Sequence, residues 1–316
     1  MTLSVSAPSG DAQGMTIVAR TQGQLVRRRF FQHKAAMAGL TVLLAIVVLA
    51  FTSVGFGPFD GWWKYNWTQT GTVVNGGQPT LTLWPFSLGE HPFGQDNVGK
   101  DYFALVMRGA QQSLLVAFLV GIVATTVGTL VGSLSGYFRK WTEAVLMRWT
   151  DVMITIPVLL IAAIVGRMAG GSGIIVLGLA LGLVIWPQLG RLVRGEVLSL
   201  REREFVEAAR AIGTRPRRII FKHILPNTLG IIIVSATLTI ANAILLESAL
   251  SFLGVGVQPP DISLGQLISF YQGAMLTRPW LFWWPGVFII AIALSINFIG
   301  DGLRDAFDPR QNRVRA

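Results

Sequence analysis

The sequence predicts an all-α polytopic membrane protein with about six spanning helices, on three observations. It lacks the charge that a water-facing shell needs, its charge-free intervals are long enough to cross a bilayer, and its cations gather in alternate loops. Of 316 residues, 52% are hydrophobic and 13% charged, with a mean hydropathy of +0.56. Soluble domains carry about 25% charged residues, so an ordinary soluble enzyme is excluded. A disordered chain is excluded by the apolar content. The net charge of +10 fits either nucleic acid or a membrane with its basic residues on one side, and the placement of the charges decides. Cysteine is absent, which removes disulfides, thiolate metal sites and a Cys nucleophile.

Intervals free of Asp, Glu, Lys and Arg run 35–59, 109–138, 152–166 (short unless extended back over Leu146 to Asp151), 168–190, 223–246 and 279–300. About 20 apolar residues cross the hydrocarbon, so these are six candidate spans. With the N-terminus inside, 21 of the 26 Lys and Arg fall in inner segments and five in outer ones, as the positive-inside rule requires. The inner cations lie in four separate pieces, so no nucleic-acid partner is expected, and both termini are expected in the cytoplasm. Arg27-Arg28-Arg29 before the first span imitates a signal peptide, but the apolar stretch is too long and no small-residue cleavage site follows, so an uncleaved anchor is expected. Trp62, Trp63, Tyr65, Trp67, Trp84, Trp280, Trp283 and Trp284 cluster on the outer side, where amphipathic rings favour the interface. Gly121, Gly128, Gly132 and Gly136 predict a smooth stripe for close helix approach on the second span.

The layout is then a cytoplasmic tail (1–34, mobile over 1–26), a first span with a long outer loop (35–112), a core of further spans (113–303) with an inner loop at 191–226, and a basic cytoplasmic tail (304–316). Residues 98–112 read as a short helix leading into the second span.

Catalytic constellations are missing. His33, His91 and His223 have no partner at metal-ligand spacing, and the 16 acids are scattered. Gly94 to Lys100 fits G-x-x-x-x-G-K, yet Asp101 stands where a phosphate loop needs Ser or Thr and no strand precedes it. Neither a catalytic residue nor a metal or cofactor site is expected. Acids near the membrane need an explanation. Asp151 lies one turn after Arg148 and is expected to pair with it. Glu247 falls near the outer face, where it is expected as a hydrated or hydrogen-bonded structural carboxylate. The Gly- and Pro-rich stretch 248–260 reads as a half-buried turn.

The inner loop carries the strongest signal. Phe205, Ala208, Ala209 and Ile212 recur at i, i+3, i+4 and i+7, one face of a helix. Gly213 is placed to end that helix and Pro216 to open a second. A loop that only sets topology needs no amphipathic spacing, so the stripe is expected to dock, on the bundle's own base or on a partner.

Glu207-Ala208-Ala209, three residues, Gly213, nine residues, then His223-Ile224-Leu225-Pro226 resembles the EAA loop of ABC importer permeases. His223 replaces an aliphatic residue of the general pattern, and His-Ile-Leu-Pro-Asn is similar to the dipeptide/oligopeptide/nickel branch. His91-Pro-Phe-Gly-Gln-Asp96 with Gly99-Lys-Asp101, Gly136-Tyr137-Phe138, Met147-Arg148 with Asp151, Ile156-Pro157, Glu247 with Leu250-Ser-Phe-Leu-Gly254, and Gly300-Asp-Gly-Leu-Arg-Asp305 with Asp308-Pro309 resemble further segments of that branch. Gln95, Lys100 and Arg139-Lys140 depart from it. The likeness covers about residues 25–310 and is greatest for the C-type subunit. It implies a type I ABC importer permease core with one extra N-terminal helix, in a bacterial cytoplasmic membrane. It also implies a second permease subunit, two ATPase subunits or domains holding ATP and Mg, and an extracytoplasmic binding protein. The coupling residues it implies are Phe205, Glu207, Ala208, Ala209, Ile212, Gly213, Arg217 and Pro226, with Arg148, Asp151 and Glu247 as structural or pathway charges. Peptides are the implied cargo, nickel or another small solute the alternative. A secondary transporter or a non-transporting sensor or scaffold would be the reading from another class.

Overall fold

A computed structural model describes residues 22–307. Residues 1–21 and 308–316 lie outside it, and with them most of the tail expected to be mobile, the end of the basic tail and Asp308-Pro309. Among the described residues the helices are α1 (Gln22–Gln32), α2 (Lys34–Ser53), α3 (Tyr102–Phe138), α4 (Lys140–Thr155), α5 (Val158–Ala169), α6 (Ile174–Ile185), α7 (Pro187–Arg201), α8 (Glu204–Ala211), α9 (Pro216–Ile219), α10 (Leu225–Phe252), α11 (Leu264–Tyr271) and α12 (Trp280–Phe307). A two-residue hairpin, β1 (Thr82–Leu83) with β2 (Phe86–Ser87), interrupts the long segment between α2 and α3.

Four helical stretches are long and apolar enough to cross a membrane, and six if each of two bent pairs counts as one span. The bends are 89° between α4 and α5 and 47° between α6 and α7. Pro157 sits at the first bend and Pro187 opens α7, each removing a helix donor and restricting the residue before it. The third charge-free interval, 152–166, is short because it straddles the first of these bends, between α4 and α5.

The glycine stripe of α3 brings α3 against α7. A Cβ on Gly132 would stand 2.6 Å from the Gly190 carbonyl oxygen, one on Gly128 3.0 Å from that of Trp186, and one on Gly136 2.9 Å from Val197. Only hydrogen at these positions lets α3 and α7 touch backbone to backbone. Gly121 faces Ile240 of α10 instead. α2 packs on α12 through Gly39, whose Cβ would lie 2.7 Å from the Ser295 carbonyl.

Three expectations are corrected. The separate short helix over 98–112 does not exist: α3 starts at Tyr102, capped by Asp101, and runs without a break to Phe138. Asp151 pairs with Arg191 of α7, not with Arg148, because side-chain direction on α4 turns the carboxylate toward the neighbouring helix while Arg148 stays exposed. Glu247 is not hydrated. It is fully buried, accepting from Ser113 Oγ at 2.8 Å and Ser251 Oγ at 2.7 Å, and Ser113 Oγ also receives the Leu264 N–H at 3.2 Å. The carboxylate therefore ties α3, α10 and the start of α11 together, the hydrogen-bonded role expected of it. The turn after it begins at Leu253, since α10 extends to Phe252.

At the end of the bundle where α3 begins, the 54–101 segment is sewn down by buried side chains. Asp101 accepts from Trp63 Nε1 (2.8 Å) and the Ala104 N–H (2.9 Å) and meets His91 Nδ1 at 2.7 Å. The carboxylate that spoiled the phosphate-loop match is thus a helix cap. Gln95 spans Val74, Thr72 and Gly99, Asp96 accepts from Tyr271 at 2.9 Å, and Phe93 stacks on Trp284 with centroids 3.8 Å apart.

Candidate functional site

The opposite end carries α8, held between α7 and α9. Val206 and Ala209 face inward, 0% and 5% exposed, and join Val193, Val197, Ile219 and Ile224 in a second apolar cluster. Arg210 and Arg201 lie over the Tyr137 ring at 5.4 and 5.9 Å, fixing the base of α8 to α3.

The predicted stripe is divided by this arrangement. Ala209 goes into the cluster, whereas Phe205 (41% exposed), Ala208 and Ile212 (83% exposed) stay in solvent. The inward residues are Val206 and Ala209, at i and i+3, which the placing of Ala208 and Ala209 together on the Phe205 stripe, at i+3 and i+4, concealed. Ile212, the C-cap of α8, is thus exposed on the side away from the anchored face. Glu207 is exposed and makes none of the ion pairs seen among the described residues.

Gly213 ends the helix as expected. Its φ is +75°, and its N–H reaches the Arg210 carbonyl at 2.9 Å while the Thr214 N–H reaches that of Ala209 at 3.0 Å, a Schellman closure that favours glycine. A Cβ there would meet nothing within 4 Å, so the position is constrained by backbone rotation and not by room. Pro216 opens α9. A single π turn, Ile220–Ile224, then joins α9 to α10, with the Leu225 N–H bonded to the Ile220 carbonyl. Pro226 follows in the first turn of α10, where its missing N–H is tolerated. Arg217 is exposed on α9. Beside Ile212 lies a basic concavity lined by Gly213, Arg215, Arg218, Lys222 and His223.

Ion pairs between elements at this end join Arg139 to Glu202 (3.5 Å), Arg194 to Glu143, and Arg191 to Asp151. Arg191 had no local signal, since it lies 40 residues from Asp151. Among the described residues no group of three or more His, Cys, Asp or Glu could hold a metal ion. What the site can do is mechanical: a short helix, rigidly joined to two spans, offers an apolar and acidic outer face.

A lipid-embedded helical bundle that carries such a helix between two of its spans is the build of a transport permease. The chain belongs to the family described as binding-protein-dependent transport system inner membrane component, whose model matches residues 128–313, and residues 21–70 match the N-terminal TM domain of oligopeptide transport permease C. A putative peptide permease protein of Brucella ovis is 38% identical over 98% of this chain and 99% of its own length. The oligopeptide transport system permease protein OppC of Mycobacterium tuberculosis is 38% identical over 92% of this chain and 96% of its own. That of Haemophilus influenzae is 37% identical over 94% and 91%. Among solved structures, the MetNI methionine ABC transporter in inward-facing conformations aligns with a TM-score of 0.53 at 21% identity, over 65% of this chain and 97% of the other, a likeness of fold.

Proposed function

We propose that this chain is one permease subunit of an ATP-driven importer of di- and oligopeptides. It works with a second permease subunit, two ATPase subunits or domains that bind ATP and Mg, and an extracytoplasmic binding protein that delivers cargo. The chain itself hydrolyses nothing. The peptide cargo is supported by the names of its relatives, each matching nearly full length. The excess of Lys and Arg at the α8 end supports a cytoplasmic position for α8 and for both termini.

The observation that carries the reading is the exposed Phe205–Ala208–Ile212 stripe over an anchored Val206–Ala209 floor. A coupling element must transmit force, so its inner face has to be fixed and its outer face free. Ala208 keeps the outer face low enough for close docking, Glu207 offers an anion to a basic group, and ATPase closure would pull α7 and α10 through α8.

Reconstitution with the ATPases and the binding protein tests this. Uptake of labelled di- and oligopeptides should require ATP, and Gly213→Leu should abolish it while the chain still inserts. ATP-driven uptake by that variant at the unsubstituted rate would contradict the coupling role. Uptake of nickel in place of peptides would keep the machine and change the cargo.

A further inference from the structure

The α8 end of the molecule sorts its cations into two kinds. Arg139, Arg191 and Arg194 each meet a carboxylate, and Arg210 lies over the Tyr137 ring. Arg215, Arg218 and Lys222 are exposed and take part in none of the ion pairs seen among the described residues. They stand at i, i+3 and i+7, along α9 and the π turn that follows it. Together with Ile212, Gly213 and His223 they line one concavity of about 730 Å³, and among the described residues no acid lines it.

Like charges one turn apart on a helix repel each other. The bias that sets membrane topology needs only their number on the inner side, not their gathering in one hollow. A hollow of one sign, without a carboxylate of its own, is complementary to an anion from outside the chain. Two features choose among anions. Ile212, 83% exposed, belongs both to the concavity and to the open face of α8, so the hollow continues the proposed coupling contact. Glu204 and Glu207 are exposed on α8. Acids beside the cations suit anionic lipid headgroups poorly, whereas a folded partner can answer both signs. We infer that the concavity receives carboxylate side chains of the ATPase subunit, so that the joint at α8 has an apolar part at Ile212 and a charged part at Arg215, Arg218 and Lys222. This contact rests on the importer reading. With an anion at Glu207 and cations beyond Ile212, the ATPase can seat on α8 in one register.

Salt separates the two parts, because exposed charge pairs are screened and apolar contacts are not. Arg215→Gln, Arg218→Gln and Lys222→Gln are combined in one chain, and its affinity for the ATPase subunits is compared with that of the unsubstituted chain in phosphatidylcholine nanodiscs. Raising salt from about 0.1 M to about 1 M shortens the screening length from about 10 Å to about 3 Å. Over that range the unsubstituted chain should lose affinity about tenfold. The triple variant should start about tenfold weaker and lose little more. Ile212→Ala should weaken binding at both salt concentrations and keep the salt response. Arg27→Gln with Arg28→Gln, which removes exposed cations of α1, should behave as the unsubstituted chain does. A triple variant with an unchanged salt response would overturn the inference. So would a loss of affinity that appears only when phosphatidylglycerol is added to the nanodiscs, which would give the hollow to lipid headgroups. An unsubstituted chain that holds no ATPase subunit at either salt concentration would overturn the importer reading itself.

Discussion

The two ends of this bundle are built on opposite plans. At one end the 54–101 segment turns polar side chains inward: Asp101 serves Trp63, His91 and the first turn of α3, Gln95 ties the 72–74 stretch to Gly99, and Asp96 holds Tyr271. At the other, α8 is fixed by Val206, Ala209 and Arg210 and leaves Phe205, Glu207, Ala208 and Ile212 outside. The first end pairs its buried polar groups within one chain, while Phe59, Trp84 and Phe86 stay exposed there. The second has kept a set of contacts open, and on our reading the ATPase completes them. Stability and coupling are thereby assigned to different ends, and substitutions should separate them.

The largest loss of stability is expected at the closed end. Asp101→Ala removes the α3 cap and leaves His91 and Trp63 without their acceptor, about 3 kcal/mol together, read as a lowered melting temperature in detergent and earlier proteolysis between residues 54 and 101. At the open end, Gly213→Leu forces a non-glycine residue to φ +75°, at about 1–2 kcal/mol. Gly213→Asn tolerates that rotation better, so it should recover the melting temperature. If Asn also recovers uptake, rotation is what Gly213 supplies; if it does not, the ATPase needs the space. Phe205→Ala and Ile212→Ala should shift stability by less than about 0.5 kcal/mol, yet release the ATPases during purification. Smallest is Glu90→Gln. The Tyr65 hydroxyl and then the Lys64 ammonium hold the Glu90 carboxyl below its ordinary range. Its contribution is present above the ordinary carboxylate value and fades as pH falls through the lowered one. The melting difference between the two proteins should vanish in acid, and a difference growing toward low pH would refute this sign.

How much of this could be read from the chain follows the range of each interaction. The spans, the Gly128–Gly132–Gly136 contact face, the Gly213 stop and the Pro216 start are local patterns, and they stand where spacing puts them. Asp151 with Arg191 was out of reach because its partner is distant in sequence, while Arg148 offered a plausible pair one turn away. The split of Ala208 from Ala209 escaped for a related reason: a helical wheel gives neighbours on a face, and only packing against Val193 and Ile219 decides which edge goes inward. The bends at Pro157 and Trp186 turned two spans into four helices, which charge-free intervals alone do not resolve. The long segment between α2 and α3 has too little periodicity to yield its hydrogen bonds in advance.

A cysteine at Ile212, in a chain that has none of its own, puts the role of α8 to the most direct trial. In the complete importer, a short bifunctional reagent should join Ile212→Cys to an ATPase subunit, and the yield should change when ATP is bound. Modification of that cysteine by an impermeant reagent from the outer face of intact cells, or the absence of any ATPase adduct with and without nucleotide, would contradict the account.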